Sequence, residues 1–204
     1  MGALGAPINE AVNFLDKFNP AALEELRKTL PPELAPLLEP GGLAGRVDGS
    51  TKHFAQVQVA SLAEAIHWCD EAGGVAGARL RRAKQLNLAA GLVGLVGSSS
   101  VLATVAAQSM TLTVASGSVA LAGSVLSFMA DYTTRPEQGR KKTLYDVYSE
   151  LSQCRQRAVQ IRGELEMYLK IGINSDREPI VIKLIGEANA LSLSVNDLRS
   201  HLLL

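Results

Sequence analysis

The sequence predicts an all-α protein built around a long antiparallel helical hairpin with an uncharged, Gly/Ala/Ser-rich apolar tip. Two observations carry this prediction. Apolar residues recur at alternating steps of three and four on both sides of the chain's middle, the spacing of helices packed lengthwise. Between those stretches lie 46 residues, 85–130, without one charged side chain, so the 20 Lys+Arg and 20 Asp+Glu all fall on the other 158. No strand-like alternation competes anywhere along the chain.

Residues 1–50 read as an N-terminal helical module and a Pro/Gly-rich linker. A first short helix is expected over 8–18, with Ile8, Val12 and Leu15 on one face. Asn19-Pro20 supplies a helix N-cap followed by proline at the first helical position. The second helix, 20–30, carries Glu24 and Glu25 early and Arg27 and Lys28 late, as the helix dipole favours, and Pro31-Pro32 ends it. Pro36, Pro40, Gly41, Gly42, Gly45 and Gly49 then predict a flexible connection.

An amphipathic helix follows over 51–84, with the seam Val59, Leu62, Ile66, Cys69, Gly73, Ala76 and Leu80. Gly73-Gly74 weakens it, at about 1 kcal/mol per glycine relative to alanine, and marks a place for a kink. A second long helix, within 131–172, carries Leu144, Val147, Leu151, Cys154, Ala158, Ile161, Leu165 and Tyr168 and closes at Gly172. Ser175 and Glu178 have the spacing of a capping box, with Pro179 just inside the next helix. That helix, within 173–204, has the seam Leu184, Ala188, Leu191, Val195, Leu198 and Leu202.

Composition excludes several classes. Zero net charge argues against a nucleic-acid binder, and 47% apolar residues argue against disorder. Two cysteines, Cys69 and Cys154, are too few for a disulfide framework and suit a reducing compartment. The first 15 residues lack the positive start of a secretory signal, and Ala6 stands where a myristoylation signal needs Ser or Thr. No Walker loop, HExxH, paired CxxC or nucleophile elbow occurs, and no acid–base or metal constellation is visible. The reading is therefore non-enzymatic and without a cofactor.

The uncharged stretch decides the rest. As one helix it would run about 69 Å at 1.5 Å per residue, more than twice the roughly 30 Å of a bilayer core. The polar run Gln108-Ser109-Met110-Thr111 breaks it into 86–107 and 112–130, each long enough to span. Gly, Ala, Ser and Thr make up 25 of its 46 residues. They recur four apart as Ala90, Gly94, Ser98 and as Ser116, Ala120, Ser124, with Gly117 beside them, faces on which membrane helices approach closely. Leu92, Val93, Val96, Val101, Leu102, Leu121, Val125, Leu126 and Phe128 would then face lipid.

The flanks are basic. Arg79, Arg81, Arg82 and Lys84 precede the stretch, and Arg135, Arg140, Lys141 and Lys142 follow it. Segments 51–84 and 131–172 each carry a surplus of two positive charges, while 1–50 and 173–204 are net negative. The positive-inside rule places both termini in the cytoplasm, with only the turn crossing. The same bases are candidates for binding lipid phosphates or a nucleotide signal, with topology setting as the plainer alternative. Ser98, Ser99 and Ser100 are candidate pore-lining hydroxyls; alternatively they bond the preceding helical carbonyls.

The order of a basic helix, two small-residue-rich spans with Phe128 near the end of the second, Arg135-Pro136-Glu137, and a long helix with Tyr145 and Tyr148 resembles the SLATT proteins. The resemblance covers about 75–168. It implies a two-span effector of the bacterial inner membrane in antiphage defence, a toxin that kills the infected cell by forming pores beside a sensor or nucleotide-signal partner. The hairpin is also similar to those of colicin-type and apolipoprotein L-type channel formers, which implies storage in a soluble fold before insertion.

The remaining candidates read as structural. His67 and Cys69 face different sides of a helix, so with His53 they suggest core and surface rather than a metal. A hairpin symmetric about 109–110 sets Cys69 opposite residue 150, one turn from Cys154, which disfavours a disulfide. His67 and Trp68 are expected to be partly buried on the bundle, and Tyr132 to anchor at an interface. The expected function is an oligomerising membrane effector whose partners are the lipid bilayer and copies of itself. The alternative is a soluble α-helical scaffold or adaptor whose hairpin is buried as core in an oligomer.

Overall fold

The computed structural model describes residues 8–39, 50–106, 110–134 and 143–202, with side chains described over 8–39, 50–96, 118–119, 121–131 and 143–199. Among these residues every regular element is helical, as expected: α1 (Asn9–Phe18), α2 (Pro20–Thr29), a 3-10 helix (Pro32–Leu38), α3 (Thr51–Ala106), α4 (Met110–Thr134), α5 (Leu144–Ile171) and α6 (Glu178–Leu202). The chain forms two compact units, one of Met1–Gly73 with Ser149–Leu204 and the other of Gly74–Tyr148. The first is a helical bundle.

Local signals set the bundle's helix ends. The Asn19 side chain accepts from the Ala22 N–H at 3.0 Å and Pro20 opens α2, as the sequence predicts. The prolines after it do not make a purely flexible link. Pro32–Leu38 winds into a 3-10 helix that buries Leu34 and Leu38, and Arg27 donates to the Leu38 carbonyl at 2.9 Å. Two leucines four apart thus outweigh the interruption at Pro36, since each buried leucine contributes about 1.5–3 kcal/mol.

Helix α1 has no side-chain cap of its own at Ile8. Its cap comes from α6, where the buried Asn189 Oδ1 accepts from the Glu10 and Ala11 N–H groups at 3.0 and 3.2 Å. Helix α1 therefore packs on α6 as well as on α2. Phe14 stacks on Phe18, and Phe18 meets the half-buried Trp68 edge-on with ring centroids 6.3 Å apart, whereas His67, expected to be partly buried too, is exposed.

On α5 and α6 the buried positions follow the predicted seams, whereas on α3 the buried set shifts to Ala55, Gln58, Leu62, Ala65 and Cys69. On α3, Ala55, Leu62 and Cys69 are buried at intervals of seven, while Val59 and Ile66 between them are half-buried. On α5, Leu151, Ala158, Ile161 and Leu165 are buried, with Cys154 half-buried among them. Gly172 ends α5 at φ +93, a left-handed conformation that glycine adopts without a Cβ clash, and its N–H reaches the Tyr168 carbonyl at 2.9 Å.

Helix α6 buries Val181, Leu184, Ile185, Ala188, Val195 and Leu198. It starts at Glu178 without the expected capping box. Asn174 Oδ1 accepts from the Arg177 N–H at 3.2 Å, and Glu178 instead accepts from the Thr51 hydroxyl at 2.7 Å, tying the starts of α3 and α6. A polar seam runs beside the apolar one: the Ser61 and Ser192 hydroxyls are 3.0 Å apart and buried, next to the wholly buried Gln58.

Candidate functional site

The second unit holds the uncharged stretch and most of the residues singled out from the sequence. Its helices are continuous where described: α3 runs through Gly73-Gly74 to Ala106, and α4 runs from Met110 to Thr134. On α3 and α4 within the unit the buried positions among the described residues are small. On α3 they are Ala76, Ala83 and Ala90, and on α4 they are Gly123 and Ala130, again seven apart. Residues seven apart share one helix face, so a narrow strip of alanine and glycine is what these helices bury.

That strip permits backbone-to-backbone contact. A Cβ built at Gly123 would stand 3.0 Å from the Gly94 nitrogen, 3.1 Å from the Ala90 carbonyl oxygen and 3.3 Å from the Gly94 Cα. All three neighbours are main chain, so relief would require moving one helix against the other. Gly94 is different. A Cβ there meets nothing within 4 Å, so Gly94 contributes its backbone to the contact rather than an empty side-chain site. The glycine whose missing Cβ this contact requires is Gly123.

The large apolar side chains lie on the outside. Leu92, Leu95 and Leu121 are each 67% exposed, and Leu88, Val96, Val125, Phe128 and Met129 are exposed with them. Val93 and Leu126 are half-buried. An ordinary core would bury these residues and leave the small ones outside, because transfer from water favours the larger apolar area by about 25 cal/mol per Å². Here the order of sizes is inverted. Tyr148 covers Gly77, with its ring 3.3 Å from where a Cβ would be, and is itself 40% exposed.

Arg79, Arg81, Arg82 and Lys84 are all exposed, and among the described residues no ion pair holds any of them. Four bases within six residues are distributed around α3, interrupted at the buried Ala83. Ser124 is exposed beside Gly123. Ser98, Ser99, Ser100, Ser116, Gly117 and Ala120 lie in helices, but their side chains are outside the described residues, as are those of Val101, Leu102 and Tyr132. Arg135, Arg140, Lys141 and Lys142 lie wholly outside the described residues, and so does the turn at Gln108-Ser109.

Ala76 stands on the seam that the sequence predicts, but Gly123 and Ala83 were passed over because small residues in the uncharged stretch were followed at steps of four. The signal was present at steps of seven. Among the described residues no group of three or more His, Cys, Asp or Glu could hold a metal ion, and no helix is long and apolar enough to cross a membrane. Comparison with family models, curated proteins and solved structures finds no match for this chain.

Proposed function

We propose that this protein is an oligomerising membrane effector whose uncharged helix pair enters a lipid bilayer and permeabilises it. The observation that supports this reading is the inverted packing of the second unit, with Ala90, Gly94 and Gly123 inside and Leu92, Leu95, Leu121 and Phe128 outside. Lipid removes the penalty for exposed leucine and leaves van der Waals contact between small faces to hold helices together. The exposed bases Arg79, Arg81, Arg82 and Lys84 stand at the edge of the uncharged stretch, where anionic headgroups attract Lys and Arg at about 1 kcal/mol each. The resemblance to SLATT effectors adds bacterial inner-membrane defence as the setting, with both termini cytoplasmic and a sensor or nucleotide-signal partner upstream.

A second reading draws on the same observation. The same exposed leucines also suit a soluble scaffold in which copies of the chain cover one another. Vesicles loaded with a self-quenched dye separate the two readings. Under the effector reading, protein that floats with anionic vesicles releases the dye. Protein that forms oligomers in solution and neither floats with vesicles nor releases dye fits the scaffold instead.

A further inference from the structure

The two cysteines of the chain lie on neighbouring helices of the bundle, near enough for the charge of one to act on the other. Helices α3 and α5 lie side by side there, joined by an ion pair in which Arg155 Nε donates to the Asp70 carboxylate. Cys69 and Cys154 are the residues immediately before these two, and both sit on the buried seams, Cys69 one heptad beyond Leu62 and Cys154 between Leu151 and Ala158. The symmetric hairpin expected from the sequence placed Cys69 opposite residue 150. It treated α4 and α5 as one continuous arm, whereas the Asp70–Arg155 pair gives α3 and α5 a register of their own.

The environments of the two thiols differ. Cys69 is 3% exposed, and burial first, then the neighbouring Cys154 and Asp70 charges, push its thiol up to about 12. Cys154 is only half-buried, so it is the thiol that a small reagent meets first. Both belong to the first unit, within one or two turns of Gly73 and Ser149, its limits on α3 and α5.

We propose that Cys69 and Cys154 form a redox pair that a low-molecular-weight disulfide oxidises to a bond joining α3 to α5. The Cys154 thiolate attacks one sulfur of the small disulfide, forming a mixed disulfide and releasing one small thiolate. Cys69 then gives up its proton, and its sulfur attacks Cys154 Sγ, expelling the second small thiolate. The protein loses two electrons and two protons, and the small disulfide becomes two thiols. The resolving step is slow because Cys69 is buried and reluctant to ionise. The bond closes a loop that contains the whole uncharged stretch, so it constrains the unfolded chain and raises the thermal midpoint of the oxidised form.

The test uses the full chain, reduced and then incubated with glutathione disulfide, with intact mass as the readout. The wild type is expected to lose two hydrogens with no retained glutathione and to migrate as a monomer without reductant. Cys69→Ser is expected to retain one glutathione on Cys154, and Cys154→Ser is expected to retain none. Wild-type protein that keeps one or two glutathiones, that crosslinks into dimers, or that stays fully reduced while Cys69→Ser reacts would overturn the proposal. Rapid labelling of Cys154→Ser would overturn the order of attack.

Discussion

Gly123 of α4 lies so close to Gly94 of α3 that a Cβ at 123 would stand 3.0 Å from the Gly94 nitrogen, while a Cβ at Gly94 would meet nothing within 4 Å. Two glycines in one contact therefore have unequal roles. Gly123→Val is expected to cost roughly 1–3 kcal/mol, the usual range for overpacking. Gly94→Ala is expected to be neutral or slightly stabilising. Hydrogen exchange in 86–96 and 118–130 reports the difference: faster exchange in Gly123→Val and unchanged exchange in Gly94→Ala. Equal effects from both variants would contradict the asymmetry.

Gly74 sits in the interior of α3, exposed and with open space where a Cβ would be. Alanine there removes the conformational freedom of glycine in the unfolded chain. Gly74→Ala is expected to stabilise the helix by about 1 kcal/mol, read as a higher midpoint in urea unfolding. A lower midpoint would mean that Gly74 serves a packing or bending purpose.

Asn189 caps a helix to which it does not belong. Its Oδ1 accepts from Glu10 and Ala11, whereas Ile8 offers α1 no side-chain cap. Asn189→Ala leaves two N–H groups at a buried helix start and is expected to cost about 1–2 kcal/mol. Asn189→Asp keeps an acceptor oxygen at the positive end of the α1 dipole and is expected to cost less. Chemical denaturation of the two variants checks the order, and an equal loss would show that the amide NH2 matters more than the oxygen.

The Cys69 thiol is raised from 9.0 to about 12 by burial, with Cys154 and Asp70 adding to the shift and Arg155 opposing it. A folded value above the unfolded one means that the folded state holds the proton more tightly. The resulting stability is complete below 9.0 and is lost as pH rises towards 12. Reduced wild-type protein should therefore lose thermal stability over that alkaline window more steeply than Cys69→Ala does. Parallel slopes would contradict the assignment.

Much of the fold was legible in the sequence because its signals are local. Asn19-Pro20 needs only Ala22 to act as a cap, and the seam from Val147 to Leu165 needs only the helical repeat. The parts that were not legible depend on distant partners. Asn189 caps a helix 179 residues away, and Glu178 turns from its expected capping box to Thr51, 127 residues away. At the candidate site, the uncharged stretch and its basic flanks were plain from composition. Gly123 was not, because many small residues there offer several spacings, and only the approach of the two backbones selects one.

The central claim is that the exposed apolar face of the second unit enters lipid. The most direct measurement places a nitroxide label at Leu92→Cys, Leu121→Cys or Phe128→Cys, in a background carrying Cys69→Ser and Cys154→Ser. Each labelled protein is mixed with anionic vesicles, and its relaxation by oxygen is compared with relaxation by a water-soluble nickel chelate. The account predicts that all three sites respond to oxygen and are shielded from nickel, while a label at the exposed Val159 of the bundle responds to nickel. Nickel access at Leu92, Leu121 and Phe128 equal to that at Val159, in protein bound to the vesicles, would contradict it.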